Sequence, residues 1–252
     1  MTTESRNYKY ETAVSELKSK SGGEALKNYM RLAVGSESYL DLIRYELLTC
    51  FLCPLPGACG YLLRQMLYPK MMGRMGRGTT IGRNVTIRGP KKIFIGRNVL
   101  IEDYCHLDTR TANSRIIIGD NVIIARGTII RSRNGDITIG DGSSIGSNCI
   151  IATDTRLSIG KDVLIAAYCY LSGGGSHNYK DTIIPIIKQD VTSKGGITIG
   201  DGAWLGAHTV VLDGAKVGAG AIVGAQSLVN KEMPAMSISF GTPAKVVKMR
   251  GE

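Results

Sequence analysis

Three histidines stand in this chain, at positions 106, 177 and 208. His177 has the setting that could do chemistry. It ends the run LSGGGSH, directly after a cluster of three glycines. An imidazole titrates near neutrality, so it can take a proton from a hydroxyl and later return it. An isolated loop histidine can also be a plain polar residue, so the reading depends on what holds His177 in place. His106 follows Cys105 and His208 follows Ala207; both are expected to face outward, and neither is given a role. Cys50-x-x-Cys53 has the spacing of a metal or redox pair. It lies in an apolar run with no second pair and no nearby histidine, whereas zinc needs four convergent ligands. No metal is expected.

The element that must position His177 is a repeat. From Ile199 the chain reads IGDGAW, LGAHTV, VLDGAK, VGAGAI, VGAQSL, with an aliphatic residue at 199, 205, 211, 217, 223 and 229. The same six-residue step links Ile95, Ile101 and Leu107; Ile118, Ile124 and Ile130; Ile139, Ile145 and Ile151; and Ile159, Ile165 and Leu171. Ile81 and Ile87 begin a weaker first turn. A small or apolar residue sits four places after each aliphatic one, as at Ala203, Thr209, Ala215, Ala221 and Ser227. Composition agrees: 32 glycines but only three Phe and one Trp suit short strands and tight corners. Three hexads make an 18-residue coil with its aliphatic residues inward. One coil cannot bury its own apolar face, so coils must stack. Cys105, Cys149 and Cys169 fall on the small inward positions and are expected to be core residues.

Successive coils start at 95, 118, 139, 159, 199 and 217. The step from Ile159 to Ile199 is 22 residues longer than one coil needs. A long loop, 172–196, must therefore leave the scaffold, and His177 sits at its root. Long loops on regular scaffolds are usually functional.

The run LSGGGSH, the stretch ITIGDGAWLGAHTVVLDGAKVGAGAIVGAQSLVNKEMP and the closing FGTPAKVVK resemble the maltose and galactoside O-acetyltransferases and their polysaccharide-modifying relatives, over roughly residues 115–248. These are hexapeptide-repeat acyltransferases. The resemblance implies a mainly β fold, a left-handed parallel β-helix over 79–234, with an N-terminal helical region at 1–78 and a C-terminal tail at 235–252. It implies acetyl-CoA as co-substrate and His177 as the base that deprotonates the acceptor hydroxyl. Ala207 matches a position whose backbone N–H lies near the thioester, and Ala225 one that contacts the pantetheine arm. Lys231, Lys245 and Lys248 match basic positions that meet the CoA phosphates; their alternative is a solvated basic tail. Trp204 either packs beside the histidine or covers a strand. Asp154 matches an acidic residue that binds the acceptor sugar, and Asn148 is a second acceptor candidate. The family resemblance also implies a homotrimer with the CoA groove between neighbouring β-helices. A β-helix carbonic anhydrase would need clustered histidine ligands that this chain lacks.

Outside the repeat, Glu11 to Leu32 could be helical. LLTCFLCPLPGACGYLL, from Leu47 to Leu63, carries no charge but is broken by two prolines and two glycines. A spanning helix needs about 20 apolar residues, so a helix–break–helix lying on a membrane fits better; an apolar pair packed on the β-helix end is the alternative. No Asp or Glu occurs between Glu46 and Glu102, while nine basic residues do: Arg64, Lys70, Arg74, Arg77, Arg83, Arg88, Lys91, Lys92 and Arg97. This places basic groups beside the apolar segment, where they would attract anionic lipid, with peripheral contact through 39–97. Few aromatics and no binding motif argue against nucleic acid. No secretory signal is visible, so the expected place is the cytoplasm, peripheral to the inner face of the membrane. The expected activity is acetyl transfer to the hydroxyl of a sugar or lipid-linked sugar, in surface polysaccharide or glycolipid assembly. N-acetylation of an amino sugar and a non-catalytic scaffold are the alternatives.

Overall fold

The computed structural model describes residues 22–109, 111 and 113–252. The first half of the expected helix at Glu11 to Leu32 lies outside these residues. Helix α1 spans Gly22–Tyr29, α2 spans Tyr39–Leu47 and α3 spans Gly57–Leu67. The rest is a parallel β-helix with three faces, here called A, B and C in the order the chain visits them. Face C has seven strands, from Thr86–Arg88 to Leu228–Val229.

The hexads build the faces as the period requires. Ile95, Ile118, Ile139, Ile159, Ile199 and Val217 stack along face A, and each is at most 2% exposed. Ile101, Ile124, Ile145, Ile165, Leu205 and Val223 do the same on face B, and Leu107, Ile130, Ile151, Leu171, Val211 and Val229 on face C. Cys105, Cys149 and Cys169 are buried at the corners, as expected of small inward residues. Each buried aliphatic residue contributes about 1.5–3 kcal/mol.

The coil begins earlier than the aliphatic pattern predicts. Arg74–Met75 is already a face A strand, paired with Phe94–Ile95. Met75-Gly76 stands six residues before Ile81-Gly82, so a methionine in the aliphatic position hid this hexad. The 235–252 segment is ordered too: Ser237–Gly241 extends face B, and Ala244–Met249 folds back antiparallel on it.

All surplus residues leave at one corner, between faces C and A. Leu107 to Ile118, Ile130 to Ile139, Ile151 to Ile159 and Leu171 to Ile199 each exceed six residues there, whereas the other two corners keep the six-residue step. The long loop does not disturb the stacking: Leu157 pairs with Ile197 and Ile159 with Ile199, across the excursion.

At the N-terminal end the chain runs helix, break at Pro54 and Pro56, helix, as the sequence predicts. Arg64 corrects the charge reading. It is 3% exposed, and its guanidinium donates to the carbonyls of Ile81, Leu52 and Leu55, each at 2.8 Å. It fastens α3 to the first coil instead of facing lipid. Arg83, Lys91 and Arg97 are also engaged, with Asp103, Asp41 and Asp120 at 3.4, 3.3 and 2.7 Å. Cys53 donates to the carbonyl of Val85 at 3.4 Å, so it too serves this docking. No helix among the described residues is long and apolar enough to cross a membrane.

Candidate active site

His177 lies in a short ribbon that stands off the coil. Ser176–His177 pairs antiparallel with Val191–Thr192, and Asn178 N–H donates to the carbonyl of Asp190 at 2.8 Å. The imidazole is half-buried. The chain enters this ribbon through Gly174 and Gly175, with φ of +95° and +81°, a region that disfavours side chains. A Cβ on Gly175 would stand 2.8 Å from Asp154 Oδ2. The glycine therefore lets the carboxylate of Asp154 lie against the backbone two residues before His177.

A second residue holds the returning end of the loop. Asp213 is 6% exposed. Its carboxylate accepts the N–H of Lys194, the N–H of Gly196 at 2.8 Å and the Ser193 hydroxyl at 3.2 Å. Asp213 is a site residue that the hexad pattern alone does not single out. Its signal was an acidic residue at the C-to-A corner of the coil after the loop, visible once all insertions are assigned to that corner. At the loop tip, the Asp181 carboxylate accepts the N–H groups of Ile183 and Ile184 at 2.8 Å, which holds its pKa below the ordinary range. Ile183, Ile186, Ile187 and Tyr179 are exposed around it.

Beneath the ribbon root is a cleft of about 170 Å³, lined by Arg131, Arg133, Ala152, Thr153, Asp154, Tyr170, Ser172, Gly174 and Gly175. Asp154 thus meets the root of His177's loop. Asn148 does not. It occupies the B-to-C corner with φ +55°, in the same column of turns as Tyr168 and His208. His208, at φ +59°, stacks its ring on Tyr168, with centroids 5.0 Å apart. His106 stands in the face C strand His106–Thr109, exposed. The three histidines therefore occupy three different settings.

The other matched residues gather on face B and its far corner. Trp204 pairs with Leu164 and Ile222 and is 47% exposed. It stands in an outward column of face B with Leu100, Ile123, Ser144, Leu164 and Ile222. Ala207 and Ala225 occupy successive B-to-C turns: the Ala207 carbonyl accepts Gln226 N–H at 2.9 Å, and a Cβ on Gly206 would meet Ala225 N. Among the described residues, neither the Ala207 nor the Ala225 N–H meets an acceptor. Lys245 and Lys248 lie on the fold-back strand, opposite Phe240 and Ile238, in line with Ile222 and Trp204. Lys231 lies apart from them, on the C-to-A corner of the last coil.

The residues singled out by the sequence therefore fall into two groups. His177 and Asp154 lie at the C-to-A corner, and the cleft extends from it onto face C; Trp204, Ala207, Ala225, Lys245 and Lys248 lie on face B, the B-to-C corner and the fold-back strand. Face C separates them. Ala207 to Asp213 spans six residues, roughly 20 Å at strand rise.

The bacterial transferase hexapeptide model, of six repeats, matches residues 196–231. The chain is 32% identical over 135 residues to the Escherichia coli protein WcaF, named for acetyl transfer in colanic acid biosynthesis, covering 54% of this chain and 70% of that one. It is 31% identical to the galactoside O-acetyltransferase of Escherichia coli over 117 residues, covering 46% of this chain and 56% of the relative. Against several curated relatives the chain spans little more than half of their length, from 50% to 61%. Among solved structures, AntD, an N-acyltransferase from Bacillus cereus crystallised with dTDP and 3-hydroxybutyryl-CoA, shares the fold at a TM-score of 0.52 and 21% identity, over 74% of this chain and 88% of that one.

Proposed function

Because this chain belongs to the hexapeptide-repeat acetyltransferase family, we propose that it transfers the acetyl group of acetyl-CoA to a hydroxyl of a sugar used in surface polysaccharide or glycolipid assembly. The observation that carries the reading is the placement of His177 on a ribbon whose root, Gly174 and Gly175, lines a polar cleft together with Asp154. Asp154 binds and orients the acceptor. His177 takes the hydroxyl proton as the oxygen attacks the thioester carbonyl. The outward N–H of Ala207 stabilises the oxyanion that forms. When the carbon–sulfur bond breaks, the proton passes from His177 to the CoA sulfur, leaving a sugar acetate and free CoA. Ala225 meets the pantetheine arm, and Lys245 and Lys248 meet the CoA phosphates. The two groups of residues are half-sites that lie too far apart within one chain, so a neighbouring copy completes each site. The exposed Leu100, Ile123, Leu164 and Trp204 on face B suit such an assembly, in line with a trimer.

N-acetylation of an amino sugar is the second reading, favoured by the fold shared with AntD. Alkali lability of the product separates ester from amide. His177→Ala is expected to lower kcat by about 100-fold or more, in the range of a lost general base, with the KM for acetyl-CoA little changed. Wild-type turnover in this variant would refute the mechanism.

The N-terminal helices fit peripheral attachment to an anionic membrane. Tyr39, Leu40, Ile43, Leu47 and Phe51 along α2 and the turn after it, and Leu62 and Met66 on α3, are exposed. Lys70, Arg74 and Arg77 follow them in the chain. Co-sedimentation with vesicles containing anionic lipid, and none with neutral vesicles, is the expected result.

A further inference from the structure

The cleft at the root of the His177 ribbon has a charge pattern that a neutral sugar would leave unused. Along face C the outward residues Asp108, Arg131, Ala152, Ser172 and Leu212 form one column through successive strand pairs. Arg131 and Leu212 stand three strand spacings apart, roughly 14 Å, with only Ala152 and Ser172 between them. These small side chains open the recess, and Tyr170 forms its wall. Arg131 is half-buried, and among the described residues its guanidinium has no ion pair or hydrogen bond. Arg133, two residues on and just past the end of the strand Ile129–Ser132, reaches Asp154 only at 3.9 Å. The cleft lining thus holds two cations against one carboxylate, with Asp108 beside Arg131 on the neighbouring strand.

A guanidinium carries a fixed fork of donors that matches phosphate oxygens. Two such forks lining one cleft suit a linked pair of phosphoryl groups better than a single carboxylate. We propose that Arg131 and Arg133 bind a phosphate or diphosphate joined to the acceptor sugar, so that the acceptor is a glycosyl phosphate while Asp154 holds its sugar ring near His177. This rests on the cleft being the acceptor site of the proposed acetyl transfer.

The test offers one hexose to the full-length protein in four forms: free, as its 1-phosphate, as its uridine diphosphate conjugate and as its polyprenyl diphosphate. Wild type is expected to prefer the phosphorylated forms by about tenfold or more in kcat/KM, the worth of charged hydrogen bonds. Arg131→Gln and Arg133→Gln are expected to bring that preference toward one, through the acceptor KM. The nucleotide and lipid arms identify what the diphosphate leads to. Equal use of free and phosphorylated sugar by wild type would overturn the proposal. So would a rise in the KM for acetyl-CoA instead of the acceptor in Arg131→Gln, which would assign the cleft to CoA phosphates. Calorimetric titration of UDP-glucose and glucose, in the presence of saturating CoA, reads the same subsite without turnover. UDP-glucose binding lost in Arg131→Gln supports the subsite even where no acetyl ester forms with any acceptor, an outcome that would count against acetyl transfer alone. No binding of UDP-glucose to wild type at millimolar concentration overturns the subsite.

Discussion

The six cysteines divide by residue environment, and the division is measurable. Cys50 and Cys59 are exposed, whereas Cys105, Cys149 and Cys169 are sealed in the coil. Burial pushes the Cys105 thiol up to about 11. The hydrogen bond with Cys169, together with burial, holds Cys149 well above the ordinary thiol range, and burial raises Cys53. A raised pKa leaves less thiolate at neutral pH, and thiolate is the reactive form. Native protein at pH 7 is expected to show two fast maleimide additions, a slower third, and the last three only after unfolding, as counted by intact mass. Arg64 offers a second check. Arg64→Met removes donors from three buried carbonyls and is expected to cost about 3 kcal/mol, seen as a lower midpoint in urea. The cysteine placement was legible in the sequence because position in a hexad dictates inward or outward. Arg64 was not: a basic residue beside an apolar run looks the same whether it faces lipid or three carbonyls from distant residues.

At the scale of elements, the loop is the part whose existence the sequence predicts and whose conformation it does not. Counting six-residue steps reveals the surplus between Leu171 and Ile199. It cannot show that the excursion is a ribbon, or that Asp213 on the next coil ties down its stem. Asp213→Ala removes the acceptor for two backbone N–H groups and the Ser193 hydroxyl. The variant is expected to keep its β-helix, show faster protease cleavage within 172–196, and lose about tenfold or more in kcat through misplacement of His177. Unchanged kcat with unchanged cleavage would remove Asp213 as a positioning residue. Gly196 marks the same stem: at φ +93°, a Cβ would lie 1.9 Å from the Arg156 carbonyl oxygen. The presence of corners, by contrast, was legible from the six-residue step and the abundance of glycine.

At the scale of the whole molecule, the separation of the two half-sites makes assembly testable without a structure of the oligomer. His177→Ala spoils one corner, and Ala207→Trp would block the other. Each variant alone is expected to be nearly inactive. Subunits mixed under conditions that allow exchange should regain activity, because one assembly then joins an intact histidine corner to an intact Ala207 corner. Failure of exchanged mixtures to recover would mean that each chain works alone. The same division explains why matched residues could be named from sequence but not grouped: the repeat gives every residue a corner, yet not the copy of the chain facing that corner. The fold-back strand Ala244–Met249 has a further effect. A parallel coil would accept another coil of the same direction at its open end, and so on without limit. Here face B ends in a strand that folds back on it and carries Lys245 and Lys248, and charged side chains on an edge strand discourage further pairing. It acts as a polymerisation terminator. A chain truncated after Met236 is expected to form end-to-end filaments, with growth visible by light scattering and electron microscopy, where the full chain stays at a defined size.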